Sequence, residues 1–115
     1  MKILILDYEI PYPLNSGHKM RTWHFIKALA CEHEVSLLTY HKTDITDDAL
    51  KALEKYLRNV WFAEKTRKSA GRFSQRLKRI NNLINGIPWE IDTTYSEEFH
   101  HRFLELLKNN HFDVI

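Results

Sequence analysis

The sequence predicts an α/β fold in one domain, with a parallel sheet and helices on both of its faces. Three observations lead there. Unbroken apolar runs recur along the chain: KILILD at residues 2–7, EVSLLTY at 34–40 and NVWFA at 59–63. A continuous run reads as a strand buried on both faces, where an alternating one would leave one face to water. Helical patterns with cap residues separate the runs, and strand–helix–strand order calls for right-handed crossovers and parallel pairing.

Each element follows from its residues. After the first strand, Pro11 and Pro13 forbid regular structure, and Asn15-Ser16-Gly17 supplies turn and cap chemistry. From His18 to Glu32, the apolar residues Trp23, Phe25, Ile26 and Leu29 recur at helical spacing. Past the second strand, Thr46-Asp47-Asp48 starts a helix with acids where the N-terminal dipole favours them, and Leu50, Leu53 and Leu57 follow on one side. The third strand is Asn59 to Ala63.

The next stretch breaks the rhythm. Between Lys65 and Arg79 stand seven Lys or Arg and no acid. Phe73, Leu77, Ile80 and Ile84 share a helical face there, with Arg72, Arg76 and Arg79 largely off it. Gly86 and Pro88 end that helix. Ser96 caps another, with Glu97 and Glu98 in its first turn, Phe99, Phe103 and Leu106 as its inner face, and Asn109-Asn110 closing it. Phe112-Asp113-Val114-Ile115 opens a fourth strand, so the polypeptide is expected to continue past Ile115. The resulting sheet is Rossmann-like, with spatial order 3-2-1-4.

Composition narrows the function. With 43% apolar and 12% aromatic residues, the 115-residue chain can bury a core. A formal charge of +2 is too small to imply nucleic-acid binding. The lone cysteine, Cys31, excludes an internal disulfide and fits a reducing compartment. Beside Ala28, Leu29 and Ala30 it reads as a buried thiol. Asp7 and Glu9 interrupt the first apolar run far short of a signal sequence, and no stretch approaches the ~20 apolar residues of a membrane span. The chain is expected in the cytoplasm, with membrane contact only peripheral, at the inner face.

In an open parallel sheet, ligands gather at the carboxyl ends of the strands where strand order reverses. That makes the loop from Tyr8 to His18 the leading site candidate. The amides of Gly17, His18 and Lys19 open the following helix, and free amides there suit an anion. A plain capped turn fits the same residues. Asp7, at the end of the first strand, either contacts a ligand or caps the adjacent loop.

A resemblance bears on that choice. Pro11-Tyr12-Pro13-Leu14-Asn15-Ser16-Gly17-His18-Lys19-Met20-Arg21, running on to Leu29-Ala30, resembles the opening of retaining GT-B glycosyltransferases, family four ("glycosyl transferases group 1"). Their N-terminal domains begin with an apolar strand, a Pro-rich loop, Ser-Gly-Gly-x-x-Arg and a helix ending in Leu-Ala. His33 to Leu38, Gly86-Ile87-Pro88, Tyr95 to Phe99 and Phe112 to Ile115 resemble later segments in the same order. The resemblance implies that residues 1–115 are the N-terminal part of the acceptor-side domain, without the C-terminal donor domain. It implies a nucleotide-sugar substrate, a glycan or lipid-linked acceptor, a role in polysaccharide biosynthesis and no metal cofactor. The loop that meets the donor diphosphate or the acceptor falls on Asn15, Ser16, Gly17, His18 and Arg21. His18 stands where a second glycine is common, and its side chain either narrows the approach or adds a hydrogen bond. No catalytic residue is assigned, and the 115 residues alone are expected to be inactive.

The basic segment has three readings: a solvated face, a contact with anionic lipid, or nucleic-acid binding. Each Lys or Arg near an anionic surface contributes about 1 kcal/mol, and related enzymes with lipid-linked acceptors are membrane-associated in this region. Arg67, Lys68, Arg72, Arg76 and Arg79 are the candidate membrane contacts. With Phe73 as its one interleaved aromatic, the segment does not predict a nucleic-acid partner. The seven histidines form no metal pattern: His100 and His101 are adjacent, so they point about 100° apart on a helix. A non-catalytic Rossmann-like binding module is the competing function. The open strand edge predicts self-association of the 115 residues.

Overall fold

The computed structural model describes residues 1–40, 45–64, 72–86 and 96–115. Three parallel strands, β1 (Lys2–Leu6), β2 (Glu34–Tyr40) and β3 (Asn59–Ala63), pair in the order β1-β2-β3. The register runs from Lys2↔Glu34 to Leu6↔Leu38 and from Ser36↔Asn59 to Tyr40↔Ala63. The fold class is therefore the α/β class expected, with a Rossmann-like half-sheet.

Burial explains why β2 is central. It lies between two strands and two helical layers, and six of its seven residues are buried. On one face, Val35 and Leu37 pack with Trp23 and Ile26 of α1 (Gly17–Ala30) and Leu53 of α2 (Asp47–Glu54). On the other, Leu4, Leu38, Tyr40 and Ala63 pack with Leu106 of α4 (Glu97–Asn109). Each fully buried Leu or Ile contributes about 1.5–3 kcal/mol, and Ile26, Leu37, Leu38 and Leu53 all have 0% exposure. Phe99 and Phe103 add half-buried rings to the α4 side, as their spacing predicted.

Local chemistry sets the helix ends. Ser16 and Thr46 cap α1 and α2, their hydroxyls accepting from the amides of Lys19 and Ala49 at 3.3 Å. Ser96 holds the N-cap position of α4 but makes no side-chain cap bond. Its hydroxyl instead donates to the Glu64 carbonyl at 3.5 Å, tying the helix start to the end of β3. Helix α3 (Arg72–Ile84) stops before Gly86, whose φ of +67° is the left-handed geometry a glycine supplies at little cost. Ile87, Pro88 and Tyr95, which carry part of the resemblance, lie outside the described residues.

Three expectations are corrected. The fourth strand is reduced to one parallel bridge, Ile3↔Val114, on the side of β1 away from β2. The amides alternate: Asp7 donates to Leu38 of β2, while Leu4 donates to Val114 at 3.0 Å. The Asp113 carboxylate takes the Lys2 amide at 2.7 Å, so a side chain occupies a place that a strand carbonyl would fill. Phe25 shares the helical spacing of Ile26 and Leu29 yet is 65% exposed, because α1 docks through Trp23 and Ile26 and turns Phe25 off the sheet. Cys31 is exposed, because it is the C-cap residue just past α1, its thiol donating to the Lys27 carbonyl at 3.3 Å.

Candidate functional site

The loop after β1 is anchored by its own apolar residues. Ile10 and Pro11 are buried, and the Tyr12 ring packs on Trp23 with centroids 5.6 Å apart. The Tyr12–Pro13 peptide is cis, and the Asn15 amide donates to the Pro13 carbonyl at 2.9 Å. This turn delivers Ser16 to the N-cap of α1 at the carboxyl end of β1. Lys19 spends its amide on the Ser16 hydroxyl, contrary to a helix start with three free amides. Those of Gly17 and His18 find no acceptor among the described residues. A Cβ built on Gly17 meets nothing within 4 Å, so packing within this chain gives no reason for a glycine there.

Asp7 and His18 form a close polar pair in the site, with Nε2 of the imidazole 2.8 Å from the Asp7 carboxylate. The Asp7 side chain is 4% exposed and that of His18 39%, so a buried carboxylate holds a half-exposed ring. The same carboxylate oxygen accepts the Glu9 amide at 3.4 Å, so Asp7 also caps the loop. Tyr8 stacks on the imidazole with centroids 4.7 Å apart and planes 26° from parallel. The His18 ring is thus folded back onto the end of β1. Beside it, the Lys19 ammonium lies 3.9 Å from the Glu9 carboxylate.

His18 and Arg21 line a cleft of about 1110 Å³; Asn15, Ser16 and Gly17 do not. The cleft wraps the outer edge of β1. Thr22, Phe25 and Leu29 of α1 form one wall, and Phe99, His100 and Phe103 of α4 the other. Its lining is mostly apolar, with Asp7, His18 and Arg21 gathered at the carboxyl end of the strand. Among the described residues, two buried polar atoms, Nδ1 of His33 and Oγ1 of Thr39, have no hydrogen-bond partner. His33 lines the cleft. Thr39 follows Leu38 as Asp7 follows Leu6, which sets Thr39 and Asp7 side by side at the strand ends.

Away from the cleft, Arg76 and Arg79 are exposed on α3. Arg67 and Lys68 lie outside the described residues, as does the side chain of Arg72. His100 and His101 have ring centroids 6.5 Å apart at 57°, a spread that directs them to different surroundings. Among the described residues, no three His, Cys, Asp or Glu side chains converge as metal ligands do, and no helix is long and apolar enough to cross a membrane.

No family model and no solved structure matches the chain. It is similar to an uncharacterized 44.6 kDa protein in the cps region of Klebsiella pneumoniae, at 27% identity over 78 residues. Those residues make up 67% of this chain and 20% of that protein, so the match spans a fifth of the relative's length.

Proposed function

We propose that this chain is the acceptor-side part of a glycosyltransferase that moves a sugar from a nucleotide-sugar donor to a glycan or lipid-linked acceptor. The observation that carries the reading is the strand–loop–helix at the end of β1. A serine-capped helix start with two open amides stands next to a large cleft, and it includes a glycine for which the chain's own packing gives no reason. Close approach of a ligand's phosphates supplies that reason, since a methyl group there would block contact with the amides. The likeness to a protein in a cps region, a capsule-polysaccharide region, supports the same class of product.

Titration of the labelled chain with a nucleoside diphosphate tests this. The amides of Gly17 and His18 should shift with a dissociation constant near the millimolar range, about 4 kcal/mol of binding. Gly17→Ala should abolish the shift while leaving the melting temperature equal or slightly raised, because Ala is the better helix former. Shifts confined to other surfaces, or binding unaffected by Gly17→Ala, would reject the site. The chain alone should transfer no sugar, because in this reading the donor pocket belongs to a second domain.

The same reading includes anionic lipid as a partner. Helix α3 has no acidic residue, and Leu77, Ile80, Leu83 and Ile84 are between 55% and 82% exposed beside Arg76 and Arg79. Co-sedimentation with vesicles of anionic phospholipid should retain the chain at low salt and release it as salt rises; equal binding to neutral vesicles would remove this partner.

A further inference from the structure

We propose that Asp7 and His18 form a hydroxyl-binding dyad, in which the imidazole Nδ1 accepts a hydrogen bond from a ligand hydroxyl in the cleft beside β1. The ligand class, a sugar or other polyol, rests on the glycosyltransferase reading; the dyad itself rests on geometry. Asp7 is buried at the end of β1 and spends one carboxylate oxygen on Nε2 at 2.8 Å. An ionised carboxylate only accepts, so Nε2 carries a proton, and in the neutral ring Nδ1 then holds the lone pair. Nδ1 has no partner among the described residues, and the ring lines the cleft. Tyr8, stacked on one face, fixes the plane of the ring.

The partner's chemistry follows from charge. With a neutral imidazole the pair carries one negative charge, and with a protonated one it carries none, so it gives an anion no net attraction. What it does provide is a fixed lone pair beside apolar surface, which suits the donor hydroxyls of a ligand with apolar flanks. Phe25, 65% exposed, and Leu6, 40% exposed, supply that surface in the same cleft.

Nitrogen-15 spectra of the labelled chain near pH 8, where an imidazole is ordinarily neutral, provide the test. His18 should show the Nε2–H tautomer in wild type and a mixture of tautomers in Asp7→Asn. Titration with methyl glycosides of the common hexoses should move the His18 Nδ1 resonance. Binding should weaken about fivefold, the loss of one hydrogen bond, in His18→Phe, which keeps a ring for Tyr8 to stack on. Asp7→Asn serves as the second variant if His18→Phe does not fold. A proton on Nδ1 in wild type, no movement of Nδ1 with any glycoside, or unchanged binding in a folded variant each overturns the dyad. Nucleoside diphosphate shifts at Gly17 that persist in such a case leave the glycosyltransferase reading standing. Their absence alongside glycoside binding at His18 removes that reading and keeps the dyad.

Discussion

Helices α1 and α3 make an instructive pair. The second separates its apolar and basic residues cleanly, and the first mixes them around its circumference. Yet α1 is docked, with Ile26 at 0% exposure, while Leu77, Ile80, Leu83 and Ile84 of α3 each keep more than half of their surface open. A periodic pattern states which face of a helix would gain from cover; it does not supply the cover. Helix α1 finds it because the strands at its two ends, β1 and β2, are adjacent, and the crossover presses two residues onto the sheet.

Four changes would break or sharpen that contrast. The largest effect belongs to Ile26→Ala, which leaves a cavity under α1 and should lower stability by about 2–5 kcal/mol in urea unfolding. A loss under 1 kcal/mol would mean that α1 is held by its ends. Next comes Ser16→Ala, which removes the hydroxyl that takes the Lys19 amide and should cost about 1 kcal/mol by the same measurement. Leu83→Gln on α3 should stay within about 0.5 kcal/mol, since an exposed residue has little burial to lose. A large destabilisation would reveal a covered face.

The smallest effect lies at the bridge beside β1. The Lys2 amide, above all, holds the Asp113 carboxyl below the usual carboxylate range, with His111, the N-terminal amine and Lys2 adding positive charge. A depressed folded-state value makes this contribution complete above the ordinary carboxylate range, and it is lost as pH falls through the lowered one. Measured against intrinsic exchange rates, the protection of the Leu4 and Val114 amides should therefore fall in acid, and Asp113→Asn should remove that pH dependence.

The sheet was legible because strand cores are local. Lys2 to Leu6, Glu34 to Tyr40 and Asn59 to Ala63 announce themselves as apolar runs, and Thr46 marks its helix by a cap three residues from Ala49. The loop from Tyr8 to His18 was legible as a place, between the first strand and the first helix. Its chemistry was not. Asp7 and His18 are eleven residues apart, and nothing local pairs them; they meet only because the turn through Pro13 carries the start of α1 back to the end of β1. Phe25 and Cys31 misled for one reason: neighbours in sequence do not share a side of a helix, or its end. Ser96 sits where a cap belongs, but a carbonyl of β3 competes for its hydroxyl.

The Asp113 carboxylate also bears on how this protein meets other chains. An unpaired strand edge is a template on which a foreign strand can align, and a charge set against it is a common safeguard. Here the charge occupies the Lys2 amide itself. Protonation weakens that hold and removes the charge together, while Leu4 still donates to Val114, so acid loosens this edge of β1 without baring it.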